Sequence, residues 1–168
     1  AGIQLPGNLI VGLGAGGMPT NGRITRDLTR HNAGQGAGCS FMLEQGVWAD
    51  HAIIAKPGWA VAWEEVGLCW FEVEVEGNIS YVGSRHRKPY RNAIAHASRV
   101  VLELEDWFAE YAERHTAGLV APQGIVSAIE AGWPRMSAVT PAACRFYVDL
   151  RVSPRTPITE VRDEFGEA

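Results

Sequence analysis

Hydrophobic and polar positions change rhythm several times along this chain, and each change marks an element. From Phe71 to Glu76 they alternate, Phe71, Val73 and Val75 against Glu72, Glu74 and Glu76, which predicts a strand with one buried and one wet face. Just upstream, Val66, Leu68 and Trp70 are apolar at the opposite parity. A β-bulge there, or a stretch buried on both sides, is the expectation. Between residues 94 and 111 the spacing lengthens to three-then-four. Ile94, Ala97, Val101, Leu104, Phe108 and Tyr111 make one stripe, widened by Val100 and Trp107, and predict a long amphipathic helix. Arg114 and His115 suit its C-terminal dipole, and Gly118 is placed to close it. Strand patterns return at Ile125–Ala131 and at Ala143–Val152, where Cys144, Phe146, Val148, Leu150 and Val152 share one face. Arg145, Tyr147, Asp149 and Arg151 share the other. These arginines can pair across strands with the glutamate row, or belong to an ordinary solvated face. Thr156-Pro157 reads as the N-cap and first position of a last helix, with Ile158, Val161 and Phe165 beginning its stripe.

Residues 1–58 have a different texture. They are glycine-rich, with apolar runs at Leu9-Ile10-Val11 and His51–Ala55 that read as buried strands. Between these runs, Cys39–Gln45 is a short helix candidate stopped by Gly46. Strand, loop, helix, strand predicts a partial α/β segment over 1–58, followed by a second domain over 59–168. The Met18–Gln35 connection, with Pro19, Asn21 and Gly22, reads as a long loop.

With 46% apolar and 20% charged residues in 168, the chain can bury a proper core. A net charge of −4 gives no basic footprint for nucleic acid or an anionic membrane surface. No apolar run approaches the length of a spanning helix, and the first residues lack the pattern of a signal peptide. Cys39, Cys69 and Cys144 are odd in number, widely spaced and set in apolar stretches. They read as buried reduced thiols, and a cytoplasmic location follows.

Few residues carry obvious chemistry. Gly12-Leu13-Gly14-Ala15-Gly16-Gly17 satisfies the glycine spacing of a dinucleotide-binding turn. Met18-Pro19 and Asn21-Gly22 nevertheless follow where a helix N-terminus should meet the pyrophosphate. His31, His51, His86, His96 and His115 include no pair at metal-binding helical spacing, and Asp50-His51 would point to opposite faces of a strand. No nucleophile-elbow motif occurs. Arg85-His86-Arg87-Lys88, with Arg91, is the one strong charge cluster. It reads either as a solvated loop or as a holder of a carboxylate or phosphate.

Several short words in order carry a family resemblance. Val75-Glu76-Gly77, Gly83 and Asn92-Ala93-Ile94, then Pro141, Cys144, Asp149-Leu150-Arg151 and Thr156-Pro157, resemble the lid or dimerisation domain of the zinc-dependent aminoacylase, acetylornithine deacetylase and carboxypeptidase G-like metallopeptidases. Glu44-Gln45-Gly46, Ala49-Asp50 and Ile53-Ile54 through Pro57 resemble the catalytic-domain stretch before that lid. The resemblance implies an α+β fold, an antiparallel sheet with two helices on one face (a ferredoxin-like lid), beside a partial α/β stub. It implies a homodimer joined through the lid and a small acidic or acyl-amino-acid ligand. Tyr81, where the family has a histidine, Arg85, Asn92 and Arg151 are then the substrate contacts. An intact member holds zinc, but the resemblance leaves none for this chain. Gly14-Ala15-Gly16 and Lys56 stand where carboxylates are usual, and Ala138 replaces an asparagine. The Gly14-Ala15-Gly16 run can neither bind zinc nor move a proton, and Lys56 puts a cation where a metal would sit, so no catalytic residue is assigned. Three readings follow: a non-catalytic lid section with dimer and substrate contacts, part of an active hydrolase of N-acyl amino acids or dipeptides whose metal ligands lie elsewhere, and a stand-alone binding module for acidic ligands.

Overall fold

The computed structural model describes residues 2, 4–17, 36–55, 58 and 60–168. The Met18–Gln35 loop, His31, Lys56 and Pro57 lie outside the described residues. The chain divides into two units, Ala1–Gly58 and Trp59–Ala168.

In the first unit the described residues form one helix, α1 (Ala37–Glu44). Its end is set by Gly46 at φ 81°, where the Gly46 amide donates to Leu43 O and the Val47 amide to Met42 O, both at 3.0 Å. That paired reversal needs a left-handed residue and so favours glycine. The two expected strands do not form: residues 9–11 and 51–55 are in no ladder, and Leu9, Val11, Ile53 and Ile54 are exposed. An apolar run becomes a strand only when another strand takes its backbone groups, and none of the described residues of this unit does so. Cys39 is likewise exposed, not buried as its apolar neighbours suggested.

The second unit carries the core. β1 (Gly67–Glu76), β2 (Gly124–Ala131) and β3 (Ala143–Val152) form an antiparallel sheet in the order β1-β3-β2. α2 (Ala93–His115) and α3 (Ile158–Glu167) pack on one of its faces. The centre of this α+β fold is the β3 row Cys144, Phe146, Val148, Leu150 and Val152, each no more than 7% exposed. Ala97, Leu104, Phe108 and Tyr111 of α2 lie buried with that row, and Val161 of α3 joins them. Burying each large apolar side chain contributes about 1.5–3 kcal/mol, which is why the strongest periodicities in the sequence meet here. Phe165 stacks on Phe71 with ring centroids 4.0 Å apart, seating α3 on β1.

Three local expectations change. The β1–β3 register runs unbroken from Gly67↔Val152 to Glu76↔Ala143, so β1 has no bulge. The parity switch has another cause: Trp70 joins the open face, and its indole N–H donates to Asp149 Oδ2 at 3.1 Å. The irregularity falls in β2, between Val126 and Ala128. Thr116, not Gly118, closes α2, its hydroxyl donating to Ala112 O at 2.6 Å. Thr156 does not cap α3; its hydroxyl lies 3.1 Å from His115 Nδ1.

Arg114 and His115 do more than face a helix dipole. Arg114 Nη2 donates to Glu164 at 3.0 Å and His115 Nε2 lies 2.9 Å from the same carboxylate, tying α2 to α3. Burial alone would raise the Glu164 pKa, but the hydrogen bonds from Arg114 and His115 outweigh it and hold the carboxyl below its usual range. A depressed folded-state pKa gives stability that is complete above the unfolded value, near 4.5, and is lost as pH falls through the lower folded value. Urea midpoints measured from pH 7 down to pH 3 should therefore fall more steeply for the wild type than for Glu164→Gln. Identical slopes would show that the carboxylate contributes nothing.

A second test concerns Gly77. A Cβ there would lie 2.7 Å from Ala93 N, 2.7 Å from Arg91 O and 2.8 Å from Pro141 O, all backbone atoms. Gly77→Ala is expected to cost about 1–3 kcal/mol by overpacking, read as a lower urea midpoint with an unchanged slope.

Candidate functional site

The backbone convergence at Gly77 builds a cleft at the start of α2. Asn78 holds the base of the 79–90 loop: its amide N–H donates to Arg91 O at 2.9 Å, Oδ1 accepts from Arg91 N at 2.5 Å, and Nδ2 donates to Pro89 O at 2.8 Å. The facing 131–141 segment is stitched to this loop. Tyr81 bridges Val139, Val82 N donates to Ala138 O at 2.9 Å, and Thr140 Oγ1 accepts from Ser80 N at 2.9 Å while donating to Asn78 O at 2.5 Å. Threonine suits the last position because one hydroxyl both accepts and donates.

Between the two segments lies a hollow of about 340 Å³, with Val82, Tyr90, Asn92, Ile94, Trp133 and Ala138 among its walls. The walls are mostly apolar, with a few amide and hydroxyl groups, a composition suited to a small amphipathic ligand. Ile94, expected in the helix stripe, is 41% exposed and serves this wall instead.

Asn92, singled out by its place in a family word, caps α2. Its Oδ1 accepts from Ile94 N at 3.0 Å. With Oδ1 committed to the helix, the amide group is oriented by it. Arg85 lies over the Tyr90 ring, its guanidinium carbon 4.2 Å from the centroid, so Tyr90 links the cation to the hollow's wall. Tyr81 is 59% exposed and precedes Val82 on the loop. Tyr81, Arg85 and Asn92 thus belong to one loop-and-cap assembly.

Arg151 does not. It lies near the far end of β3, eight residues from Ala143 and so about 26 Å along the strand. On the open face of the sheet its Nε is 2.8 Å from Asp149 Oδ1, while Nη2 donates to Oδ2 at 3.0 Å. The first contact is an ion pair without hydrogen-bond alignment, since Oδ1 accepts no directed bond. Of the arginines on this face, Arg145 pairs with the glutamate row, to Glu74 and, at 3.8 Å, to Glu72.

The sequence reading passed over Tyr90, Trp133 and Thr140. The proline–aromatic pairs Pro89-Tyr90 and Trp133-Pro134 were available signals, but nothing local says that the two loops meet.

Where the family carries carboxylates, the described residues of the glycine-rich loop offer no zinc ligand. Ala15 O accepts from Gly38 N at 2.9 Å and Gly16 O from Gly36 N at 2.8 Å, so the glycine-rich loop turns carbonyls to α1 and carries no metal-binding side chain. The same hydrogen bonds occupy the Gly36 and Gly38 amides at the start of α1, which a bound phosphate would need. Among the described residues no group of three or more His, Cys, Asp or Glu is placed to hold a metal ion. Nor is any described helix long and apolar enough to cross a membrane.

No protein-family model matches the chain. Among solved structures it is similar to an amidase of the hydantoinase/carbamoylase family from Burkholderia multivorans, at 25% identity over 52% of this chain and 20% of that one, with TM-score 0.39. It is also similar to AtUAH in complex with glyoxylate, at 25% identity over 52% and 19%, with TM-score 0.41. A third similarity is to a protein from Burkholderia cenocepacia assigned as an amidohydrolase or peptidase, at 22% identity over 60% and 22%, with TM-score 0.40. The chain thus spans about a fifth of the length of these proteins.

If the basic loop recognises anions, exchanging Arg85 and Arg87 together for alanine should weaken binding of small acidic ligands at least tenfold in calorimetric titration. Unchanged titrations would assign the loop to solvent.

Proposed function

We propose that this chain is a section of an amidohydrolase- or peptidase-like protein, in which residues 59–168 serve as a lid that contacts substrate and joins a second copy. The observation that carries this reading is the hollow itself. Asn92 and Ala138, the first in a word shared with the lid family and the second where the family has an asparagine, line one hollow beside the Tyr81–Arg85 loop. The ligand that suits it is a small acyl amino acid: an apolar acyl group against Val82, Ile94 and Trp133, and a carboxylate towards Arg85. The section is not catalytic by itself. Zinc and the groups that hold it belong, in this reading, to parts of the parent protein outside these 168 residues, and the parent acts in the cytoplasm. Arg151 then has a structural role, orienting Asp149 beneath Trp70.

Of the two outer strands, β2 suits the dimer contact. Ile129, on the helix side of β2 opposite Phe146, is 52% exposed, and Ile94 on α2 is 41% exposed. Exposed apolar side chains of this kind mark interaction surfaces when they group together. Sedimentation velocity across a hundredfold concentration range should show a dimer that Ile129→Glu converts to monomer. A wild-type monomer throughout would remove the dimer role, leaving the binding module as the reading to pursue by thermal-shift screening with acidic ligands.

A further inference from the structure

A second hollow, of about 250 Å³, adjoins the first, and the two share Trp133, Val139 and Pro141 as walls. The backbone puts Trp133 there. Gly132, at φ 73°, ends the β2 ladder in a left-handed turn that favours glycine. Pro134–Met136 then forms one tight helical turn, with Met136 N donating to Trp133 O at 2.8 Å. The indole so placed is 61% exposed. Elsewhere in this unit Phe71, Trp107, Phe108, Tyr111 and Phe165 each lie against another ring. Among the described residues Trp133 has no ring partner, and its N–H has no acceptor.

The two hollows differ in polarity. Asn92 and Ser137 bring an amide and a hydroxyl to the first. Because Asn92 Oδ1 accepts from Ile94 N, its Nδ2 is the group left to donate to a ligand. Thr140 is the one polar side chain among the described walls of the second hollow, and its hydroxyl is already engaged, accepting from Ser80 N and donating to Asn78 O. The second hollow therefore suits an apolar group. Charge narrows the ligand further. Residues 79–91 carry Arg85, Arg87, Lys88 and Arg91 and no acid, and the Arg85 guanidinium lies over Tyr90, a wall of the first hollow. A ligand that satisfies both hollows is an anion with a polar linkage in the first and an apolar group beside Trp133 in the second.

We propose that Trp133 is the specificity-determining residue of this site, selecting N-acyl amino acids whose side chain is an aromatic ring. The inference rests on the acyl-amino-acid reading above and adds the side chain to it. The carboxylate lies towards Arg85, the amide beside Asn92, and the ring in the second hollow against the indole. Apolar walls alone would accept an aliphatic side chain equally well. An indole without a ring partner adds offset or edge-on stacking, which favours a ring over an aliphatic chain of similar size. A tryptophan also presents a large rigid surface with few torsions to freeze, so ordering it on binding costs little.

The test is calorimetric titration of the full chain with N-acetyl-L-phenylalanine, N-acetyl-L-leucine and N-acetyl-L-alanine. The phenylalanine derivative should bind at least about tenfold tighter than the alanine derivative. It should bind about two- to tenfold tighter than the leucine derivative, the margin that a ring pair supplies. Trp133→Ala, with its urea midpoint checked against wild type, should bring the phenylalanine-to-alanine ratio to within about threefold of one, whereas Trp133→Phe keeps most of the preference. In the wild type, the indole N–H resonance that Trp133→Phe removes should shift as the phenylalanine derivative is added. An unmoved resonance, an unchanged ratio in Trp133→Ala, or equal wild-type affinity for the phenylalanine and alanine derivatives would overturn the proposal and leave the acyl-amino-acid reading standing. A leucine derivative as tight as the phenylalanine one would overturn the aromatic assignment. Absence of binding by all three would overturn both.

Discussion

Everything in the second unit depends on one contact, the apolar stripe of α2 laid across the inward row of β3. Leu104, Phe108 and Tyr111 meet Phe146, Val148 and Leu150, all nearly removed from water. Because β3 is the central strand, this contact also fixes both outer strands through their ladders. The fit is close enough that Gly124 of β2 has no room for a Cβ beside the Phe108 ring. One polar atom is enclosed in this packing. The Tyr111 hydroxyl has no hydrogen-bond partner among the described residues, and burial, then the charge of Glu164, push its pKa up to about 12. The ring stacks on Trp107 with centroids 4.9 Å apart and sits 4.4 Å from His115. Aromatic packing thus runs from the helix core out to the ion pairs that hold α3.

The cleft is a consequence of the same contact. Asn92 starts α2, so the helix that anchors the core also positions the cap in the hollow's wall. Gly77 then brings the end of β1, the start of α2 and the Pro141 segment within backbone contact. A ligand-sized hollow formed by two loops keeps its shape only when those loops are fastened. Here Asn78 and Thr140 fasten them with side-chain bonds to backbone. At the other end of the unit, Glu64 plays a comparable part. It accepts from Leu119 N at 3.0 Å and pairs with Arg155, and those two interactions lower its pKa, the Leu119 bond most.

Legibility differed sharply between elements. Ala143–Val152 could be read to the residue because five alternating apolar positions opposite four polar ones admit one assignment. The α2 stripe was equally clear, whereas its ends were not. Thr116 and Asn92 act through side-chain bonds to nearby backbone, and several residues near each end could have served. The Trp70 parity switch misled, since an apolar indole on a wet face looks like a bulge until Asp149 is seen to accept its N–H. Of the candidate site, Asn92 came from its family word and Arg85 from its charge cluster, but the basis for uniting them was Tyr90, which no pattern singled out.

What the sequence determined by itself was the set of elements in residues 59–168 and the faces they bury, because periodicity is a local property and apolar faces leave water wherever they can. What only the tertiary structure decided was partnership. It showed that Leu9–Val11 and Ile53-Ile54 find no ladder among the described residues, that Thr156 turns to His115, and that Arg151 stands a strand's length from Asn92. Each of these depends on which distant backbone or side chain arrives beside a residue. Spacing along the chain carries no record of that arrival, since contacts between residues far apart in sequence are chosen by packing of the whole unit.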